Sequence, residues 1–457
     1  MMPVGTTLSR WTMSYFGAAL SYLLLAECLL AAGIWTPSLG IGEPGALAIV
    51  HAVTLGWLLL LMIGSLLQFA PVLTGRDRPT GRFDPVAFAG MAAGPALLML
   101  GFHLIGIGSA AAGPVMVAAS VTISISIAAV SLSLSALLWR GRRVHAASLI
   151  VLVGIGCLLV TTAFGVLFAL TISGQTEEPA LVAYGAEAVA FHASFGLGGW
   201  MTFAAIGVSY KLLPMFLLSN DMRKAQLIRR SSTLAVLILS AAAIAAAVAP
   251  DVARALFLSA AVLFAAIVAA YLLEIYGTYR TRRRPVLELN TLGSLPAFMM
   301  LGLSVVLLAL SLFLHAETPV VSAIVYLFVF GWLTGFGLAQ LLKIVPFLTW
   351  IEAFGPLLGR RPTPKLGELI NGRRAGVWLG LFYFSVVGAA LALWLGSDTG
   401  FRIFAAVQTA STFALIGELV LARTLANVPP RLKSAPFHKP ALLLAANHRG
   451  NANGSVS

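Results

Sequence analysis

A glycine-tryptophan pair occurs three times in this chain, and each time a small residue, then Gln or Lys, then proline follow at the same spacing. Each copy begins a long apolar segment. An internal repeat of this kind determines the architecture of a chain before any single residue does, so we expect three similar structural units. The copies are Gly56, Trp57, Gly64, Gln68 and Pro71; Gly199, Trp200, Gly207, Lys211 and Pro214; and Gly331, Trp332, Ala339, Lys343 and Pro346.

The apolar content of the chain indicates an integral membrane protein. Of its 457 residues, 59% are hydrophobic and only 10% are charged, and the mean hydropathy is +0.95, which is more apolar surface than one soluble core could bury. A helix needs about 20 apolar residues to cross a bilayer, and twelve stretches reach this length. They are residues 12–33, 45–73, 86–107, 113–138, 147–172, 184–218, 232–249, 253–277, 292–315, 321–349, 376–394 and 402–425.

Twelve spans divide into three groups of four, and the motif lies on the second span of each group, which are spans 2, 6 and 10. The sequence therefore predicts an all-α polytopic membrane protein, with twelve transmembrane helices arranged as three pseudo-symmetric four-helix units of about residues 12–140, 147–280 and 292–425. These units form a single transmembrane domain over residues 1–430. Residues 431–457 are predicted to be a cytoplasmic, partly disordered tail.

The net charge of +13 is explained by membrane topology, and it gives no indication of nucleic-acid binding. Basic residues cluster in alternate loops, and the loops between carry mainly acidic residues. By the positive-inside rule both termini are cytoplasmic, which predicts a multi-pass protein of the inner, cytoplasmic membrane with the lipid bilayer as its partner. The basic clusters include Arg76, Arg78, Arg82, Arg140, Arg142, Arg143, Arg223, Lys224, Arg280, Arg282, Arg360 and Arg361.

The spacing that all three motif copies share places the motif residues on one face of a helix. The Trp, the small residue, the Gln or Lys and the Pro lie at relative positions 0, 7, 11 and 14. We expect this face to pack inward, with the small residue admitting a neighbouring backbone and the proline kinking or ending the helix. The Gln or Lys would cap a freed carbonyl. For Lys211 and Lys343 we favour capping or snorkelling over the alternative, a role in a proton path.

Four of the seven histidines are predicted to lie at one depth, near the outer membrane face. His51 and His192 begin spans 2 and 6, and His103 and His315 lie near the outer ends of spans 3 and 9. A buried imidazole needs a partner for each ring nitrogen, and copper, haem iron or a hydrogen bond to a neighbouring helix can supply one. All four are candidate metal ligands. For His103 and His315 we favour the hydrogen bond, because each is close to a helix end.

Spans 2 and 6 resemble a known superfamily. The segment from His51 to Gly75 resembles helix 2 of the haem-copper oxidase catalytic subunit, and it is most similar to the NnrS family, which is linked to nitric oxide stress. The segment from His192 to Pro214 resembles helix 6 of the cbb-class oxidases. The matching positions of span 2 are His51, Gly56, Gly64, Pro71, Thr74 and Gly75.

The resemblance implies that His51 ligates haem b and that His192 ligates copper. It also implies that Glu27 and Glu418 line the bay of the low-spin haem, although protonated acids bonded to neighbouring helices are an equal alternative. Departures from the family argue against a working oxygen or nitric oxide reductase, because spans 7 and 10 contain no histidine. Tyr326 stands where span 10 would carry the equivalent of His51, and tyrosine can ligate ferric haem.

The two motif histidines are predicted to face different bays. Relative to its tryptophan, His51 lies six residues back and His192 lies eight residues back. At 100° per residue these directions differ by about 160° around their helices, which predicts two separate sites.

Two classes of function follow from these observations. The first is a haem-copper-oxidase-like protein that binds haem b, copper or both near the outer face, with a redox or nitric-oxide-related role and a respiratory-chain or cytochrome partner. Its catalytic residues and oligomeric state stay open. The second is a cofactor-free transporter, or an accessory or assembly subunit, on the same scaffold. Transporter helices often break near the midplane, whereas the motif prolines lie at the cytoplasmic ends of their spans, which favours the first class.

Overall fold

The computed structural model describes residues 9–35, 40, 42–76, 81, 83–142, 146–314, 318–433 and 439–444. These residues contain twelve helices that are long and apolar enough to cross a membrane, and they contain no strand. The predicted all-α architecture is therefore confirmed. The helices are α1 (Thr12–Ala32), α2 (Pro44–Thr74), α3 (Asp84–Gly106), α4 (Ala112–Arg140), α5 (Ala147–Ile172), α6 (Pro179–Leu217), α7 (Ala225–Ala245), α8 (Pro250–Arg280), α9 (Leu289–Leu314), α10 (Thr318–Leu357), α11 (Gly372–Trp394) and α12 (Asp398–Arg423).

Short connections make successive helices antiparallel neighbours, so the loops fall at two ends of the bundle. We call one the basic end and the other the acidic end. The basic end carries Arg140, Arg223, Arg280 and Arg360, and the acidic end carries Glu43, Glu178, Asp251 and Asp398.

The motif glycines let each motif helix pack closely on the first helix of its own unit. A Cβ atom on Gly56 of α2 would overlap the ring of Tyr22 on α1. In the second unit a Cβ on Gly199 would lie 2.6 Å from the Cys157 sulfur on α5, and in the third a Cβ on Gly331 would overlap Met300 on α9. The same contact therefore recurs in all three units.

The small residue that follows the tryptophan in the motif makes an equivalent contact, eight residues closer to the basic end than the first glycine. A Cβ on Gly64 would lie 2.8 Å from the Cβ of Tyr15 on α1, and one on Gly207 would lie 3.1 Å from the Ala147 carbonyl oxygen on α5. The three tryptophans are buried, with exposed fractions of 0%, 1% and 1%. The motif face packs inward, as the spacing predicts.

Each motif helix contains a π-helical segment that surrounds its glycine-tryptophan pair. The segments are Ala52–Leu59 in α2, Ser194–Met201 in α6 and Leu327–Thr334 in α10. A π-helix has i→i+5 hydrogen bonds and often occurs at functional sites. The helix therefore turns by a smaller angle per residue here than an α-helix does, which changes where the preceding side chains point.

At the basic end, the Gln or Lys of two motif copies contacts a residue just before the first helix of its unit. The Gln68 side-chain oxygen accepts a hydrogen bond of 3.1 Å from the Ser9 backbone N–H. The Lys343 ammonium lies 2.5 Å from the Glu288 carboxylate, just before α9. For Lys343 the described partner is therefore a carboxylate and not the freed carbonyl that we expected. The segment before α5, where Lys211 would find its counterpart, lies partly outside the described residues.

Two of the three motif prolines stand close to a helix end. Helix α2 ends three residues after Pro71, and α6 ends three residues after Pro214. Helix α10 continues past Pro346 as far as Leu357. The expected interruption therefore occurs in the first two units, whereas the third motif helix extends further at the basic end.

Residues 439–444 of the predicted tail form a strap across α1 and α12 at the basic end. The Ser14 hydroxyl donates a hydrogen bond of 2.7 Å to the Leu443 carbonyl, and the Arg423 Nε donates one of 2.8 Å to the Ala441 carbonyl. Arg423 also forms an ion pair of 2.6 Å with Glu352, and both side chains are 2% exposed. Residues 434–438 and 445–457 lie outside the described part of the chain.

Candidate functional site

His51 and His192 lie opposite each other between the first and second units. Their ring centroids are 6.4 Å apart. His51 is the last α-helical residue before the π-helical segment of α2, and His192 lies one residue further from the corresponding segment of α6. The two histidines predicted separately from two motif copies therefore form one pair at the acidic end.

The prediction that these histidines face different bays was wrong. It applied the α-helical angle of 100° per residue, but most of the chain between each histidine and its tryptophan is π-helical. It also measured each direction against its own helix, and a direction on one helix says nothing about how a second helix is rotated in the bundle. Both effects are invisible to a calculation from residue spacing.

Both imidazoles have Nδ1 beside a backbone carbonyl, which leaves Nε2 as the nitrogen that could bind a metal. The Nδ1 atom of His51 lies 2.7 Å from the Leu47 carbonyl oxygen, and that of His192 lies 3.1 Å from the Thr161 carbonyl oxygen. A carbonyl can only accept, so each Nδ1 carries the proton and donates it. Each Nε2 then holds a free lone pair, and the backbone bond fixes the orientation of the ring as outer hydrogen bonds do around metal sites.

Aromatic side chains enclose the histidine pair. The Phe102 ring on α3 lies 5.3 Å from His51, and the Phe168 ring on α5 lies 5.2 Å from His192. Both histidines are half-buried. Such walls restrict water and lower the local polarity, which tunes a bound metal through its surroundings.

The separation of the two rings fits one metal ion between them. Metal-to-imidazole bonds of about 2 Å place the two ring centres about 6 Å apart when the nitrogens lie on opposite sides of the ion, close to the observed 6.4 Å. Among the described residues, no group of three or more His, Cys, Asp or Glu side chains could hold a metal. Copper is one of the metals that imidazole binds.

Of the other two candidate metal histidines, His103 is exposed on α3. His315 lies outside the described residues. Within the part of the chain that the structure describes, the paired histidines are the two that precede the motif.

Tyr326 stands in the third unit where His51 stands in the first, as the last residue before the π-helical segment of α10. Its hydroxyl donates a hydrogen bond of 2.8 Å to the Gln408 side-chain oxygen. Its ring packs at 4.5 Å from Phe330 and 5.6 Å from Phe401. A tyrosine that ligates haem does so through its oxygen, and here that oxygen is hydrogen-bonded to Gln408 while the ring packs against two phenylalanines. These residues do not fit a haem on Tyr326.

Glu27 and Glu418 do not share a location. Gln408 on α12 donates a hydrogen bond of 2.8 Å to Glu27 on α1, which completes a chain from Tyr326 through Gln408 to Glu27. Glu418 lies ten residues further along α12, or about 15 Å at 1.5 Å per residue. It forms an ion pair with Arg374 at the start of α11. Neither of these contacts involves His51, and the common haem bay that the resemblance implies stays a prediction.

A small cavity lies on the axis where the three motif helices meet. Its volume is about 60 Å³, enough for a few water molecules. Apolar side chains form most of its wall, and the polar ones are Ser65, Ser209 and Gln340, one from each motif helix. The motif thus frames a shared central space in addition to packing each unit.

No protein-family model matches this chain, and no curated protein matches it. The resemblance to the haem-copper oxidase superfamily consequently rests on the residues of α2 and α6 alone.

Proposed function

We propose that this chain is a haem-copper-oxidase-like protein of the inner membrane that binds copper through His51 and His192 near the outer face, in a redox or nitric-oxide-related role. The observation that carries the proposal is the pairing of these two imidazoles, each with Nδ1 bonded to a backbone carbonyl. The loops at the basic end favour a cytoplasmic location for that end, which puts the histidine pair on the outer side.

The protein would act by holding and shielding the metal. Two fixed neutral imidazoles offer their Nε2 lone pairs without losing a proton, so binding needs no deprotonation at this site. Phe102 and Phe168 restrict the approach of water. Bound copper would supply one-electron chemistry, which suits a cytochrome or another respiratory-chain partner. A complete oxygen reductase is not proposed, because α7 and α10 have no histidines.

Metal analysis of the purified protein tests this proposal directly. We expect one copper per chain after loading with Cu(I), and loss of at least 90% of it, a tenfold change, in both His51→Ala and His192→Ala. His103→Ala is the matched control, since His103 is exposed on α3 and should leave copper binding unchanged.

The outcomes that would contradict the copper site are distinct. Equal copper content in the wild-type protein and both histidine variants would exclude this pair as the ligands. A Soret band in the wild-type protein that collapses in His51→Ala would instead assign haem b to His51.

One observation favours the alternative of a cofactor-free transporter. The cavity on the central axis is lined by the motif helices of all three units, which is where a small solute could be held. Flux of a solute into vesicles that persists in the metal-free protein and in His51→Ala would support transport and would count against the copper proposal. Copurification of a respiratory complex with a metal-free chain would instead support the accessory or assembly role.

A further inference from the structure

Glu27 is a deeply buried acid on α1 whose described partners are neutral. Its side chain is 1% exposed. One carboxyl oxygen, Oε1, accepts the hydrogen bond from Gln408, and the other, Oε2, is buried without a hydrogen-bond partner. None of the ion pairs between described residues includes Glu27.

The two other deeply buried acids show what a charged carboxylate requires in this protein. Glu418, 3% exposed, is paired with Arg374, and Glu352, 2% exposed, is paired with Arg423. Removing an unpaired carboxylate from water costs several kcal/mol, and ionisable groups inside membranes accordingly pair with one another or mark a functional pathway. Among the described residues, Glu27 has the burial of these acids without a counter-ion.

The described neighbours of Glu27 offer hydrogen-bonding groups and no positive charge. Tyr326 donates to Gln408 Oε1, which directs the Gln408 amide nitrogen toward Glu27. Thr412, one helical turn beyond Gln408 on α12, lies beside the same carboxyl, and among the described residues its buried hydroxyl has no hydrogen-bond partner. A carboxyl that carries a proton on Oε2 could donate to this hydroxyl oxygen.

We propose that Glu27, Gln408 and Thr412 form a proton-binding site between the first and third units, with Tyr326 as a positioning residue. Glu27 holds one proton on Oε2, and this O–H donates a hydrogen bond to the Thr412 hydroxyl oxygen. The other carboxyl oxygen, Oε1, accepts a hydrogen bond from the Gln408 amide N–H. The site lies on α1 and α12 and shares no residue with the histidine pair. A failure of copper binding would therefore not contradict the proton-binding site, and the reverse also holds.

Infrared difference spectroscopy on the purified full-length protein tests this assignment. We expect the difference between the wild-type protein and Glu27→Gln to contain the carbonyl band of one protonated carboxyl group. Glu418→Gln is the matched control, because Glu418 is buried but ion-paired; its difference spectrum should contain carboxylate bands and leave the carbonyl band in place.

Two further variants retain the acid and separate a proton site from simple packing. Tyr326→Phe and Thr412→Val should each shift the carbonyl band of Glu27 without removing it, since each alters one step of the hydrogen-bond chain. They also provide a test if Glu27→Gln fails to fold. Carboxylate bands from Glu27 in the wild-type protein would overturn the proposal, and so would stoichiometric sodium bound to it.

Discussion

The residue six positions before the repeated tryptophan differs in each unit, and its chemistry decides what that unit can hold. It is His51 in the first copy, Ser194 in the second and Tyr326 in the third. The imidazole can ligate a metal, whereas the tyrosine hydroxyl donates to Gln408. The second unit supplies its histidine two residues earlier, at His192, and the π-helical segment that follows helps to bring it to its partner.

At the same scale, the motif glycines can be tested one at a time. In Gly64→Val the new side chain would collide with Tyr15 on α1, because even a Cβ atom would lie 2.8 Å from the Tyr15 Cβ. We expect a loss of stability of about 1–3 kcal/mol, measured as a lower thermal unfolding temperature in detergent. Gly156→Val on α5 is the control, since a Cβ there meets nothing within 4 Å. Equal unfolding temperatures in the two variants would contradict the packing role.

At the scale of the helix, the three π-helical segments are the feature that makes the motif more than a packing device. In α2 and α10 the segment begins directly after the residue six positions before the tryptophan, and in α6 it begins at that residue. Each segment consequently sets the direction of the side chain on its acidic-end side. The two histidines of the pair each precede one of these segments.

Inserting one alanine between His51 and Ala52 tests whether the pair depends on the direction of His51. The added residue lies before the π-helical segment and turns His51 by about 100° relative to Trp57. We expect copper binding to be lost while the helical circular dichroism and the elution volume of the protein are retained. The same insertion between Tyr326 and Leu327 in α10, which carries no histidine, should leave copper bound. Copper binding that survives the insertion after His51 would show that this direction does not matter to the site.

Much of this architecture could be predicted from the sequence because it depends on local composition. Apolar length determines the twelve helices, and the inward face of the motif follows from its spacing. The π-helical segments were missed because Ala52–Leu59 is ordinary apolar helix sequence, and its hydrogen bonding depends on neighbouring helices. The contact between His51 and His192 was missed for the same reason. Gln408 was missed because a glutamine in an apolar span carries no motif.

At the scale of the whole molecule, the strap of residues 439–444 ties the end of the chain to its first helix. It uses the backbone carbonyls of Ala441 and Leu443, which accept from Arg423 and Ser14. The Leu443 side chain also fills the space at Gly17, where a Cβ atom would lie 2.7 Å from it. The strap therefore joins the first and third units at the basic end.

Truncation measures what the strap contributes. A chain that ends at Lys433 loses both hydrogen bonds, each of which contributes about 1 kcal/mol and more when the donor is charged. We expect its thermal unfolding temperature in detergent to fall by a few degrees. A chain that ends at Leu444 keeps both bonds and should unfold with the full-length protein. Identical unfolding temperatures for all three chains would contradict this role.

The three units meet at three interfaces that have little in common chemically. His51 and His192 join the first unit to the second, and Glu27 and Gln408 join the first to the third. The second and third meet through the rings of Tyr271 and Phe298, which are 6.1 Å apart. A symmetric trimer of identical four-helix chains would have to repeat any one contact three times. Covalent linkage of the units into one chain removes that constraint, so each of the three interfaces can have its own chemistry.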